Sequence, residues 1–177
     1  MKALAGSKSA DLAATLLTAP TALMQLNLEE AKVVVSYMKP RKIDEGTAFI
    51  KEGDAKDTGY MMLVLHGEVT VENIVVSRTS AVTINVLGPG SLIGEMGLVD
   101  GAPRSATCTA TTNVRGAMLT RAALEELMND EPHIGGKLMM AVSLRIAQRL
   151  RETADKLRLY SQLTSAMQQE IDRLMPT

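Results

Sequence analysis

Between Gly88 and Thr107 the chain sets five glycines and two prolines around Glu95, Arg104 and Ser105. A glycine has no Cβ, so backbone N–H groups beside it can approach a ligand closely. Successive inward-turned N–H groups make an anion-holding concavity, and a nearby guanidinium adds a forked donor that matches phosphate oxygens. Alone with a bare phosphate, Glu95 would repel the anion. Beside a phosphate that carries a sugar it has a use, because it can accept from a ribose hydroxyl. The stretch reads as a sugar-phosphate cradle. The plainer alternative for Arg104 is a surface ion pair with Glu95.

Such a cradle must hang between rigid elements, and the flanking sequence supplies them. From Arg41 onward short runs bounded by glycine or polar turns predict strands at Lys42–Ile43, Ala48–Lys51, Tyr60–His66, Glu68–Val76, Ala81–Leu87, Ser105–Ala110 and Asn113–Leu119. Val69, Val71, Ile74 and Val76 fit alternation with polar neighbours, as do Val82, Ile84 and Val86. Strands this short and numerous imply an antiparallel sandwich or barrel, with a jelly roll as one solution. Before them, Ser9 is placed to cap a helix over about Ala10–Thr18, closed by Pro20. Asn27 and Glu30 form a capping box for a second helix, whose apolar face is Leu28, Ala31, Val34, Val35 and Met38 and which Pro40 stops. After them, Thr120 caps a helix over about Arg121–Asn129, with Leu124, Leu127 and Met128 facing inward. Pro132 opens a last helix that nothing breaks firmly before Pro176, although Gly135 and Gly136 weaken its start.

On that last helix Ile146, Leu150, Thr153, Leu157, Tyr160, Thr164, Met167, Ile171 and Leu174 follow alternating steps of four and three. A seam of this period is that of a left-handed coiled coil, and a parallel homodimer is the simplest closed assembly. The other reading is a helix lying on its own barrel with a wider stripe. The threonines are polar breaks in the seam, set there for register or to face a polar ligand.

Composition narrows the rest. A net charge of −1, from 19 basic and 20 acidic residues, does not describe a bulk nucleic-acid binder, and four aromatic residues make no stacking platform. Cys108 is the only cysteine, so no internal disulfide can form, and a reducing compartment is expected. His66 and His133 show no metal-ligand spacing, so neither a metal site nor a cofactor is expected. No apolar run has the length of a membrane span, and no signal peptide is read at the N-terminus. A cytoplasmic protein is the expectation.

The segment Gly94-Glu95-Met96-Gly97-Leu98, followed by Arg104-Ser105-Ala106, resembles the phosphate-binding cassette of cyclic-nucleotide-binding domains. The pieces Glu45–Thr47, Phe49–Asp54 and His66–Val69 resemble that family's early strands and turns, and the likeness covers about Leu26 to Leu159. The resemblance implies a mainly β, α+β fold: a double-stranded β-helix jelly-roll barrel flanked by short N-terminal helices and a long C-terminal dimerisation helix. The corresponding divisions are residues 1–40, 41–119 and 120–177. It implies that Glu95 accepts from the ribose 2′-hydroxyl and that Arg104 pairs with the cyclic phosphate. Gly94, Met96, Gly97 and the Ser105 hydroxyl complete the site. The nearest family type is the bacterial catabolite activator, whose post-barrel helix forms the dimer and contacts adenine through a threonine-serine pair. Thr153 stands at that threonine, Ala154 replaces the serine, and the helix between Pro132 and Leu150 is about one turn longer.

The expectation is then a stand-alone cyclic nucleotide receptor, for cAMP before cGMP, acting as a homodimer on an unknown downstream protein. No helix-turn-helix is read after the last helix, so DNA binding is not expected. The alternatives are a ligand-free dimerising scaffold of the same fold and a cGMP-selective sensor. An enzyme is not expected, since no histidine, cysteine or carboxylate pair is placed for acid–base or nucleophilic work.

Overall fold

A computed structural model describes residues 8–19, 22–23, 25–73 and 82–174, with the side chains of 73, 82–84 and 172 left aside. The chain divides into two compact units, Met1–Val142 and Ser143–Thr177.

Among the described residues the first unit is built on eight antiparallel strands: β1 Lys39–Ile43, β2 Ala48–Ile50, β3 Tyr60–His66, β4 Val69–Asn73, β5 Val82–Leu87, β6 Leu92–Ile93, β7 Thr107–Ala110 and β8 Val114–Thr120. They form two four-stranded sheets, ordered β1-β8-β3-β6 and β2-β7-β4-β5. That interleaving is a jelly-roll order. Between the sheets lies a core drawn from both, including Ile43, Ile50, Tyr60, Met62, Val64, Val69, Leu87, Ile93, Cys108, Ala110 and Val114. β3 is buried along Tyr60–Leu65, because the alternate residues Met61, Leu63 and Leu65 are covered as well. The first helix, α1 (Lys8–Leu17), packs against it. The strand expected at Tyr60–His66 is present, and its unbroken apolar run suits two covered faces.

The helices correct the sequence reading at several points. Helix α1 spans Lys8–Leu17, so Ser9 lies inside the first turn and is not its cap. Pro20 lies outside the described residues, as do Ile74, Val76, Ala81 and Pro176. Helix α2 spans Leu28–Ser36, and its capping box is complete: Asn27 Oδ1 accepts from Glu30 N–H at 2.9 Å, and Glu30 Oε2 accepts from Asn27 N–H at 2.8 Å. Pro40 does not stop that helix. It sits in β1, an edge strand, where the missing N–H interrupts no ladder on the open side.

Inside the Gly88–Thr107 stretch the chain makes the short strand β6 and then helix α3, Glu95–Asp100. Neither is predicted, because two strand residues and six helical residues among glycines read as turn. Thr120 caps α4, Arg121–Asp130, through Ala123 N–H at 3.3 Å. Leu124 and Leu127 are buried as expected, whereas Met128 is 44% exposed, and Leu28 of α2 is exposed too.

Helix α5 runs over Pro132–Leu174, its first part within the first unit. Gly135 and Gly136 do not interrupt it. A Cβ on Gly135 would lie 2.8 Å from Met128 Cγ, so this glycine gives α4 and α5 their close approach. Lys137 Nζ then donates to both oxygens of Glu30, at 2.7 and 2.8 Å, tying α5 to the N-terminus of α2. Lys137, and then the Asn27 N–H, hold the Glu30 carboxyl below the usual carboxylate range. A second tie joins α2 to α4, where the Tyr37 hydroxyl donates to Asp130 Oδ2 at 2.9 Å. Burial, followed by that carboxylate, pushes the phenol up to about 12.

The second unit is the remainder of α5. Its large apolar seam residues Leu150, Leu157, Tyr160, Met167, Ile171 and Leu174 are between 48% and 72% exposed.

Candidate functional site

Six of the seven expected site residues fall in one local structure of the first unit. β6 delivers the chain to Gly94, whose φ of +80° turns it left-handed into α3. Only glycine takes this conformation without strain, and the close approach is equally demanding. A Cβ here would sit 2.8 Å from Arg104 Nη1 and 3.0 Å from Tyr60 O. Gly97, one turn on, is crowded by the same guanidinium at 2.9 Å and by Thr58 O at 2.7 Å. Gly94 N-caps α3 without a side chain that could bond the first-turn N–H groups.

Glu95 opens α3 and is 1% exposed. Met96, beside it, is 41% exposed, and its sulfur accepts a weak hydrogen bond from the Ser105 hydroxyl at 3.8 Å. The two ends of the cassette therefore meet at Met96 and Ser105 and again at Gly94 and Arg104.

Arg104 is the best-anchored side chain of the set. It is 6% exposed, which removes the surface ion pair from consideration. Nη2 donates to Asp57 O at 2.7 Å, Nη1 to Gly94 O at 3.0 Å, and both reach Tyr60 O at 3.3 Å. The guanidinium also lies over the Tyr60 ring, 4.4 Å from its centroid. Its backbone is fixed as well, since Arg104 N–H donates to Asp54 O at 2.9 Å and Arg104 O accepts from Gly53 N–H at 2.8 Å. All its acceptors are neutral carbonyls, so they do not neutralise the buried cation, and Nε–H is the donor they do not take.

Sequence reasoning missed the residues that grip it. Asp57 holds its carbonyl in place through a positive φ of 53°, unusual for a non-glycine residue. Tyr60 supplies both a carbonyl and a ring. Arg121 reaches across from α4 to bond Gly97 O at 3.1 Å. Of these only Tyr60, one of four aromatics, carries a signal in the sequence. The carbonyl contacts depend on backbone placement and leave no trace in residue type.

Thr153 lies in the second unit. Its hydroxyl donates to Arg149 O at 2.9 Å, one turn back along α5, as Thr164 does to Tyr160 O at 2.8 Å. Among the described residues no three His, Cys, Asp or Glu side chains are grouped to hold a metal ion. No described helix is long and apolar enough to cross a membrane.

Comparison with known proteins converges on the same segment. The chain is 29% identical over 125 residues to the CRP-like cAMP-activated global transcriptional regulator of Mycobacterium tuberculosis, covering 70% of this chain and 52% of that one. The chain thus spans about half the length of that relative. A crystal structure of a cyclic nucleotide-binding domain from Methylobacillus flagellatus superposes with a TM-score of 0.73 at 29% identity, covering 86% of this chain and 84% of the other. The catabolite activator protein of Thermus thermophilus gives 0.69 at 28% identity, covering 82% and 63%. The sequence profile of the cyclic nucleotide-binding domain matches residues 40–131, from the first strand to the end of the helix that follows the sheets. With cassette, strand order and profile in agreement, the chain belongs to the cyclic nucleotide-binding domain family.

Proposed function

We propose that this chain is a cytoplasmic receptor for cAMP that signals as a homodimer through α5. The observation that carries this reading is one short segment holding a buried carboxylate, Glu95, and a buried guanidinium, Arg104, whose hydrogen-bonded neighbours are neutral carbonyls. The cyclic phosphate takes the charge and Nε–H of Arg104, the N–H groups around Gly94 and Met96, and the Ser105 hydroxyl. Glu95 accepts from the ribose 2′-hydroxyl. Neither group is placed for turnover, so the ligand is bound and released unchanged. Among the relatives, the mycobacterial regulator is named as cAMP-activated, which favours cAMP over cGMP.

The exposed seam on α5 supports the dimer. Six large apolar side chains, with Thr153 and Thr164 between them, follow alternating three- and four-residue steps and match a coiled-coil interface, whereas exposed to water they would be a liability. Thr153 lies on that seam. Its contact with the base, partly across the dimer, would let occupancy bias how two helices pack. A ligand shifts such an equilibrium only by its differential affinity for the two arrangements. A downstream protein would then read the helix pair.

Displacement of a fluorescent cyclic nucleotide by cAMP, cGMP and 5′-AMP tests the ligand. cAMP should displace at the lowest concentration and 5′-AMP, with an open and more highly charged phosphate, at the highest. Displacement by cGMP below cAMP overturns the cAMP assignment. Failure of both cyclic nucleotides to bind favours the ligand-free scaffold.

A further inference from the structure

Outside the cassette, a cavity of about 320 Å³ opens between β1, the segment before β3, the end of β8 and the start of α4. Its wall includes Arg41, Asp57, Tyr60, Met118, Arg121 and Ala122, and none of Gly94, Glu95, Met96, Gly97 or Ser105. Arg41 is half-buried. Its guanidinium donates to Met118 Sδ at 3.5 Å and lies 5.0 Å from the Tyr60 ring centroid, and neither contact carries a full negative charge. Arg121, also half-buried, uses Nη2 on Gly97 O. Among the described residues no carboxylate forms an ion pair with either arginine.

Two partly desolvated guanidiniums without a counter-ion are costly unless an anion joins them. The start of α4 adds to the field. Gly59 O takes the Arg121 N–H at 2.7 Å and the Thr120 hydroxyl takes that of Ala123; Ala122, between them, lines the cavity, and a first-turn N–H such as its own has no acceptor within the helix. The helix dipole places partial positive charge at the same point. Asp57 opposes an anion with one charge, against two guanidiniums and the helix end. An adjoining cavity of about 100 Å³ brings Arg41, Lys51, Lys56 and Arg104 against Asp54 and Asp57, so positive charge dominates locally in a chain whose net charge is −1. The Tyr60 ring and Met118 give the larger cavity an apolar side.

We propose that this cavity is a second ligand site, which binds a small molecule through a compact oxyanion, phosphate or carboxylate, held by Arg41, Arg121 and the Ala122 N–H. It is separate from the cassette, although Tyr60 lies against both Arg41 and Arg104. Planar guanidiniums suit either oxyanion, and the cavity has room for a small organic body beside it.

Amide-resolved NMR titrations at constant ionic strength, with inorganic pyrophosphate and separately with citrate as probes, test the site. The expected result is a saturable shift at the amides of Gly59, Arg121 and Ala122 with at least one probe. The stronger probe tells phosphate from carboxylate. Binding should weaken by about tenfold or more in Arg41→Gln, the loss of a charge-assisted contact. Ala122→Glu should do the same by placing a carboxylate in the opening. Ala122 is exposed and lies in a first helical turn, where an acidic residue favours folding. Shifts confined to the cassette amides from Gly94 to Ser105, no saturable shift with either probe, or undiminished binding in both variants would overturn the proposal. A cAMP titration followed in the same spectra reads the cassette independently, so failure of one site is not confused with failure of the other.

Discussion

Arg104 has two tasks that ordinary mutagenesis would merge. Four hydrogen bonds to the carbonyls of Asp57, Tyr60 and Gly94 make it part of the fold, and in the proposed function its charge pairs with the cyclic phosphate. Arg104→Lys keeps the charge but cannot reproduce the fork, so it strands at least one buried carbonyl. It should lower stability by about 2 kcal/mol and cyclic-nucleotide affinity by about tenfold or more, measured by chemical denaturation and by titration. Two glycine variants separate close approach from backbone strain. Gly46 and Gly94 share a φ near +80°, but a Cβ on Gly46 meets nothing within 4 Å while one on Gly94 meets the Arg104 guanidinium. Gly46→Ala should therefore cost only the left-handed strain, about 1 kcal/mol, with nucleotide affinity unchanged. Gly94→Ala should cost more than that and weaken binding as well. Equal affinities in the two variants would show that Arg104 does not depend on the glycine cradle.

At the scale of elements, α2 and the start of α5 are joined by a charge that can be titrated. Glu30 is held below the usual carboxylate range by Lys137, so its contribution to stability is complete above the ordinary carboxylate pKa. It disappears as the pH falls through the lowered value. Glu30→Gln keeps an acceptor for the Asn27 N–H and removes only the charge. Denaturation across pH should show the parent more stable at neutrality, with the two curves converging in acid. A difference that persists in acid would mean the link is not ionic.

The same elements show what was legible beforehand. The Asn27–Glu30 box, the β3 run and the Thr120 cap are written in residue type, because local chemistry alone decides them. β6 and α3 were not, since elements so short are set by the contacts they complete. The cassette residues could be named from their pattern, whereas Asp57, Tyr60 and Arg121 act through carbonyls, a ring face and a reach across elements that no spacing encodes.

For the whole molecule, the proposed homodimer rests on the exposed seam of α5. Leu157→Lys places a charge in the middle of that seam, and two-fold symmetry repeats it. If the seam is the dimer interface, sedimentation should show self-association weakened by roughly a hundredfold, the equivalent of about 3 kcal/mol per dimer. The first unit should keep its thermal transition.

The central claim is that the segment from Gly94 to Ser105 holds a cyclic nucleotide through Glu95 and Arg104. Calorimetric titration of cAMP into the intact chain, beside 2′-deoxy-cAMP, tests it most directly. The prediction is saturable binding of one cAMP per chain, weakened by about tenfold when the 2′-hydroxyl is removed, with that difference abolished in Glu95→Ala. No heat of binding with cAMP, or equal affinity for the two ligands in the parent chain, would contradict it.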